Sequence, residues 1–87
     1  MNYNITHRTV EYTESTTIMP DGKFGAWLAI NTGSIDSTVM GYTLKPGEGM
    51  DFRDYVRPGD LWRSAINIVV GAGGSVRVTL LYANEIK

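Results

Sequence analysis

The side chains that could carry acid–base or metal chemistry are few. The chain has a single histidine, His7, and no cysteine, so neither a histidine cluster nor a thiolate site can hold a metal ion. Carboxylates lie near two Pro-Gly pairs, at Glu48, Asp51, Asp54 and Asp60. Paired carboxylates can hydrolyse a glycosidic bond, but that chemistry needs a deep cleft, which so small a domain seldom builds. Carboxylates beside turns and basic residues are more typical of solvated turns and surface ion pairs.

Two other catalytic arrangements are not supported by a motif. Ser64 or Ser75 could act as a nucleophile with His7 as its base, but no recognisable pattern surrounds either serine. The glycine-rich residues 71–74 could cradle a phosphate only if a helix followed, because such loops direct a helix N-terminus at the anion. Residues 75–83 instead alternate as a strand does. We therefore expect no enzymatic activity and no cofactor.

A basic and aromatic group shares one face of a predicted strand: Arg53, Tyr55 and Arg57. Such a face can stack bases and hold phosphates. Three nearby aspartates neutralise much of its charge, and the formal net charge of −1 gives no long-range attraction to a polyanion or an anionic membrane. We therefore favour a mixed-charge or subunit-facing surface over a nucleic-acid site.

A second apolar face is predicted around Trp27. In residues 23–31, Phe24, Leu28 and Ile30 occupy even-numbered positions and so share one face of the predicted strand, whereas Trp27 lies on the opposite face. In residues 75–83, Leu81 likewise lies on the face opposite to the main apolar one. In a small domain a second apolar face indicates a partner surface. The alternative is that the N-terminal segment of the same chain covers Trp27. The candidate interface residues are Trp27, Arg53, Tyr55, Arg57 and Leu81.

Turns divide the chain into short segments. Pro46-Gly47 and Pro58-Gly59 each combine a proline suited to the first central position of a β-turn with a glycine suited to the second. They bracket one short strand that begins at Gly49. Residues 19–22, Met-Pro-Asp-Gly, predict a third turn for the same reason.

The remaining segments are predicted strands. Residues 3–18 form one long or two short strands, with a bulge or break near residues 7–9. Residues 23–31 pair with residues 37–44 as a hairpin, and residues 61–70 pair with residues 75–83 through the glycine loop. No stretch longer than one turn shows apolar residues at helical spacing, so no helix is predicted.

The fold class follows from these segments. We expect an all-β domain, either a compact antiparallel β-sandwich of jelly-roll type or a small barrel, with about six or seven strands. Residues 1–87 form a single domain, and residues 1–20 form an N-terminal arm or an edge strand.

Composition sets further bounds on function. No apolar run approaches the roughly 20 residues that a membrane-spanning helix requires. The N-terminus lacks a secretory signal, which favours cytoplasmic synthesis and no membrane association. With 87 residues and no cysteine, the domain has a small core and no disulfide to stabilise it. Small domains of this kind commonly gain stability by oligomerising or by joining a larger assembly.

Several segments together resemble small β-sandwich proteins of bacteriophage virions. They are residues 30–34 (INTGS), residues 39–48 (VMGYTLKPGE), Phe52, residues 66–68 and residues 76–82. In that family a strand ending in Asn-x-Gly is followed by a Gly-x-x-Leu-x-Pro-Gly-Glu turn and further strands. The resemblance covers residues 24–83. It implies a non-enzymatic structural role as a capsid decoration, head-fibre or neck component that is oligomeric, located in the virion or in the host cytoplasm.

Cupin-like domains share part of the same turn. The histidines with which a metal-binding cupin follows the turn are missing, because Asp51, Phe52 and Arg53 stand in those positions. The first hypothesis is therefore an assembly subunit whose partners are copies of itself or other virion proteins.

Two binding functions are the alternatives. A glycan-binding module would use exposed aromatic rings as stacking platforms, with Trp27, Tyr42, Tyr55 and Trp62 as candidates. A nucleic-acid-binding module would use Arg53 and Arg57, and it is the less favoured of the two.

Overall fold

A computed structural model describes residues 3–52 and 61–85. The described residues form strands and connecting turns, with no helix. The strands are β1 (Tyr3–Tyr12), β2 (Thr16–Ile18), β3 (Ala26–Asn31), β4 (Ser37–Val39), β5 (Tyr42–Leu44), β6 (Gly49–Phe52), β7 (Ile66–Val70) and β8 (Val76–Glu85).

The strands pair in a nested order. The first pairs with the last (β1 with β8), and β2–β7, β3–β6 and β4–β5 follow inward, all antiparallel. The chain is therefore one long antiparallel ribbon folded back at the β4–β5 turn. Additional pairs, β3–β8 and β4–β7, close the ribbon into two four-stranded sheets of order β1-β8-β3-β6 and β2-β7-β4-β5. This is the strand order of a jelly roll, so the all-β sandwich is confirmed, with eight strands in the described residues where about six or seven were expected.

One of the predicted turns is confirmed. At residues 45–48 the Glu48 N–H donates to the Lys45 carbonyl at 2.9 Å, and Gly47 has a φ of 86°, as the second central position of a type II turn requires. Near the turn predicted at residues 19–22, the Asp21 carboxylate accepts hydrogen bonds from the Lys23 and Phe24 N–H groups, so the chain bends later, at residues 21–24. The predicted turn at Pro58-Gly59 lies outside the described residues.

A third turn divides residues 37–44, which were expected to form one strand. Met40 and Gly41 both have positive φ, at 51° and 81°, so they form a two-residue loop of type I′ between β4 and β5. The sequence gives little sign of this loop because Asn or Asp, rather than Met, is the usual first residue. Gly41, with its positive φ, separates the two strands.

Both predicted hairpins are wrong. β3 pairs with β6 and β8 and not with β4, while β7 and β8 lie in different sheets. Residues 71–74 do form a turn, with the Gly74 N–H donating to the Gly71 carbonyl, but the turn carries the chain across the sandwich. Val70 and Val76 consequently face the same core from opposite sheets. Alternation indicates which face of a strand is buried, and this pattern is the same for a hairpin and for a crossing between sheets.

The phase of β3 also differs from expectation. Its register with β8 sets Trp27, Ala29 and Asn31 on the inner face, and Leu28 and Ile30 on the outer face. The regular pairing of β3 with β8 begins at Ala26, which lies opposite Leu81. The preceding residue, Gly25, also donates its N–H to the Leu81 carbonyl, so two residues of one strand oppose a single residue of the other. This irregularity lets Phe24 enter the core together with Trp27, although the two differ in parity.

β1 is more regular than expected. It pairs with β8 without interruption from Tyr3 to Tyr12, so the predicted bulge near residues 7–9 is wrong. Tyr12 packs against the core, whereas the side chains of residues 4–9 are exposed. The strand is unbroken where its side chains change from exposed to core-packed.

Asn31 is the polar group at the centre of the structure. It is 1% exposed, and its side-chain N–H₂ group donates to the carbonyls of Ile35 and Leu44, both at 2.8 Å. Its side-chain oxygen accepts from the Gly33 N–H at 2.9 Å. One amide therefore joins the end of β3 to the following loop and to β5 in the other sheet.

Candidate functional site

Trp27 is completely buried. Its relative exposure is 0%, and its ring contacts Phe52 and Trp62, with centroids 4.9 and 5.5 Å away. Phe52 and Trp62 also contact each other at 5.4 Å, so three rings form one aromatic cluster at the edge of the core. The predicted outer-face position of Trp27 is therefore wrong, and the side chain offers no surface to a partner in the folded domain.

The other candidate interface residues have different positions. Arg53, Tyr55 and Arg57 lie outside the described residues. Leu81 is half-buried on the outer face of β8, between His7 of β1 and Ala26 of β3. It is the candidate that the structure places on an outward-facing surface.

Leu81 belongs to an apolar outer face of the first sheet. Ile5 is 46% exposed and Ile30 is 37% exposed, and half-buried Leu28 and Ala83 lie on the same face. Ile5 of β1 lies opposite Ala83 of β8, and Leu81 lies two residues before Ala83 on the same face of β8. Because these side chains occupy neighbouring strands, they make a continuous apolar patch rather than scattered exposed residues.

Polar contacts bound one end of this face. The Glu11 carboxylate accepts a hydrogen bond from the Thr32 hydroxyl at 2.6 Å and lies 3.7 Å from the Arg77 guanidinium. The Thr32 and Ser75 hydroxyl oxygens are 2.6 Å apart. Both charged groups are about half exposed, so the ion pair contributes little to stability. It fixes the position of the Glu11 side chain at the margin of the patch.

The outer edge of β1 is the longest open strand edge in the described part of the chain. Four strands lie at sheet edges, and β2, β5 and β6 contain three, three and four residues. β1 contains ten residues and has β8 as its single neighbouring strand among those described.

The direction of the backbone groups on β1 follows from β8. The carbonyls of Ser75 and Leu81 accept hydrogen bonds from residues 32 and 25, on the β3 side. Backbone groups alternate along an antiparallel strand, so the odd-numbered residues of β8 face β3. Their partners in β1 then point N–H and C=O away from β8, into the open edge. These are Ile5, His7, Thr9 and Glu11.

The second sheet has a more polar outer face. The Thr17 hydroxyl donates to the Asn67 side-chain oxygen at 3.0 Å, and Val69 is 56% exposed beside them. Open depressions of the surface lie along this side, at residues 11–16 and at residues 15–17 with 67–69. Tyr42, at the start of β5, is 66% exposed. These depressions are too open to exclude water from a reacting group.

Tyr82 has a shifted pKa. Burial raises the pKa of its phenol, the nearby Asp21 carboxylate raises this pKa further, and Arg8 lowers it. The Tyr82 side chain packs against the core. Among the described residues, no group of three or more His, Asp or Glu side chains is arranged to hold a metal ion.

The expectation of an N-terminal arm or edge strand over residues 1–20 did not identify the partner of β1 or the length of its open edge. Residues 3–12 contain neither proline nor glycine, which indicates a long strand. The strand that pairs with β1 is β8, and that pairing spans nearly the whole chain. A local pattern therefore cannot reveal the partner.

In the part of the chain that the structure describes, no helix has the length and apolar character needed to cross a membrane. No protein-family model matches this chain, and no significant match was found among curated proteins or solved structures.

Proposed function

We propose that this protein is a non-enzymatic structural subunit that assembles through its first sheet, either with copies of itself or with a larger shell. The observation that carries the proposal is the ten-residue open edge of β1. A virion component is the assembly that the sequence resemblance suggests.

An open edge of this length presents a row of backbone N–H and C=O groups that can pair with a strand of another chain. Monomeric β proteins protect their edges with short strands, prolines, bulges, charged side chains or a covering segment. β2, β5 and β6 use the first of these devices. β1 is long, pairs without a bulge and contains neither proline nor lysine; its charged residues are Arg8 and Glu11. Its outward N–H and C=O groups are thus available for a further strand.

The apolar outer face of the first sheet supports the same proposal. Ile5 lies on β1, Leu81 and Ala83 lie on the neighbouring β8, and Leu28 and Ile30 lie one strand further, on β3. A partner that engaged the edge could also cover the part of this face nearest to β1. Burying apolar surface contributes roughly 25 cal/mol for each Å² removed from water. A small domain without disulfides gains proportionally more from such burial than a large one does.

The glycan alternative has less support. Of the aromatic residues suggested as stacking platforms, Trp27 is buried, Trp62 is packed in the aromatic cluster and Tyr55 is outside the described residues. Tyr42, the first residue of the three-residue strand β5, remains exposed. One aromatic ring can stack on a sugar, but by itself it does not make a glycan-binding site.

Sedimentation equilibrium tests the assembly proposal. We expect the mass of the purified chain to rise from that of a monomer to a multiple of it between micromolar and millimolar concentrations. A monomer mass throughout, with no binding to purified shell proteins encoded beside its gene, would contradict the proposal. A gene position far from any capsid or tail gene would contradict the virion assignment specifically.

A further inference from the structure

We infer that the partner of the β1 edge is the β1 edge of a second copy, paired antiparallel about a two-fold axis that passes beside Thr9. This inference rests on the proposed function and makes it specific, because it names the partner and the contact. The first sheets of the two copies would then form one continuous sheet.

Length and symmetry favour a second copy. A ten-residue edge forms the most hydrogen bonds with another open strand of similar length. Among the described strands β1 is the long one at a sheet edge, so the matching strand is β1 of a second copy. A two-fold axis pairs each β1 residue with a residue of the same parity. The outward groups of His7, Thr9 and Glu11 therefore meet the outward groups of the other copy, forming about six backbone hydrogen bonds.

Charge complementarity selects the register. With the axis beside Thr9, His7 lies opposite Glu11 of the partner subunit, so an imidazole N–H can donate to a carboxylate in two symmetric places. With the axis beside Arg8, the two Arg8 side chains oppose each other, and like charges directly opposite are destabilising. With the axis beside His7, imidazole faces imidazole and Glu11 gains no cationic partner.

The side chains at the axis fit this register. Thr9 is exposed on the outer face of β1, and its hydroxyl oxygen lies 2.9 Å from that of Thr79. Two threonines opposite each other in an antiparallel pair can also exchange a hydrogen bond. Glu11 is held by Thr32 and Arg77 at one end of the contact while remaining about half exposed, so its carboxylate can accept a further donor.

Substitutions at Thr9 test the edge pairing. Thr9→Pro removes the outward N–H and leaves the backbone hydrogen bonds to β8 intact, because proline is tolerated where an edge N–H faces solvent. Thr9→Pro and Thr9→Val both lose the hydroxyl contact with Thr79, so this loss does not distinguish them. Thr9→Val keeps the N–H group and the β-branched shape, and it is the matched control. In sedimentation equilibrium we expect wild type and Thr9→Val to dimerise and Thr9→Pro to remain monomeric, with folding verified by circular dichroism and tryptophan fluorescence.

Charge exchange tests the register without using proline. Residues 7 and 11 are about 13 Å apart along one strand, too far to contact each other within a copy. His7→Glu sets carboxylate against carboxylate across the axis, and we expect the dimer dissociation constant to rise about tenfold from two such contacts. Glu11→Lys alone should also weaken the dimer. Because Glu11 lies 3.7 Å from Arg77 of the same copy, these variants are all compared in an Arg77→Gln background. There the double variant His7→Glu/Glu11→Lys restores opposite charges across the axis, so its affinity should return to within about threefold of that background.

The outcomes separate this inference from the proposed function. A wild-type oligomer whose affinity is unchanged by Thr9→Pro would overturn the edge pairing and leave the assembly proposal standing. Failure of the double variant to recover affinity would overturn the Thr9 register. A monomer at every concentration would overturn the pairing, and binding of that monomer to a shell protein would still support the assembly proposal. If Thr9→Pro fails to fold, the charge exchange decides.

Discussion

Replacement of Asn31 by alanine should be among the most destabilising single changes in this protein. Asn31→Ala removes two hydrogen bonds donated to the Ile35 and Leu44 carbonyls and one accepted from the Gly33 N–H. Each group left unsatisfied in a buried site costs about 1–3 kcal/mol. The bond to Leu44 is buried and the other two are partly buried, so water can relieve the latter. We expect a loss of about 3 kcal/mol in the free energy of unfolding.

This loss is large for a small domain. Stabilities of roughly 0.05–0.15 kcal/mol per residue are typical, so 3 kcal/mol is a substantial fraction of the total. The expected decrease in melting temperature is roughly 12–24 °C. Urea titration followed by tryptophan fluorescence measures the change, because Trp27 lies in the same core and Trp62 packs against it.

Two variants make the measurement specific. Asn67→Ala is the matched control, since Asn67 is exposed and its oxygen accepts a hydrogen bond from the Thr17 hydroxyl; it should change stability by less than about 0.5 kcal/mol. Asn31→Asp keeps the acceptor for Gly33 but turns a carboxylate oxygen toward two carbonyls, so it should be at least as destabilising as Asn31→Ala. A loss below about 1 kcal/mol for both Asn31 variants would refute the role assigned to this amide.

Other predictions concern packing and pH. Gly33→Ala should lower the urea midpoint more than Gly47→Ala, because a Cβ at residue 33 would lie 2.5 Å from the Ser75 nitrogen, whereas residue 47 has space and requires only a positive φ; equal midpoints would contradict this. Trp27→Ala should cost about 3–5 kcal/mol, measured by denaturation followed by circular dichroism, and a loss near zero would show that the residue is not in the core. Burial raises the pKa of Tyr82 above its ordinary value of 10.0, so the stabilisation is fully present below pH 10.0 and is lost as pH rises through the raised pKa. Unfolding measured from pH 9 upward should therefore show a steeper decline for wild type than for Tyr82→Phe, and parallel curves would contradict this.

Turn chemistry was the most predictable part of the fold. The Pro46-Gly47 turn follows from local backbone preferences, since proline fixes one dihedral angle and glycine permits the positive φ that comes next. The alternation of apolar residues in β7 and β8 likewise identifies the buried faces, and together these local signals were enough for the fold class.

Strand partners and the assembly surface could not be predicted. β1 pairs with β8 across almost the whole chain, and no local pattern encodes that choice. Trp27 was assigned to the wrong face because a single irregularity at Gly25 reverses the parity of everything after it. Leu81 was assigned to an outward surface from the alternation of apolar and polar residues along residues 75–83. No irregularity interrupts that segment, and Leu81 does lie on the outer face.

The nested order of strand pairs also sets how the chain can fold. The β4–β5 turn joins residues that are close in sequence, so this pair closes at the smallest entropic cost. Each pair further out, β3–β6 and then β2–β7, needs a short additional closure once the inner pair has formed, and β1–β8 comes last. Because so many contacts are distant in sequence, folding should take milliseconds to seconds. β1 would then reach its place only when the rest of the sandwich is complete, so the edge that recruits a partner appears on finished subunits and not on partly folded ones.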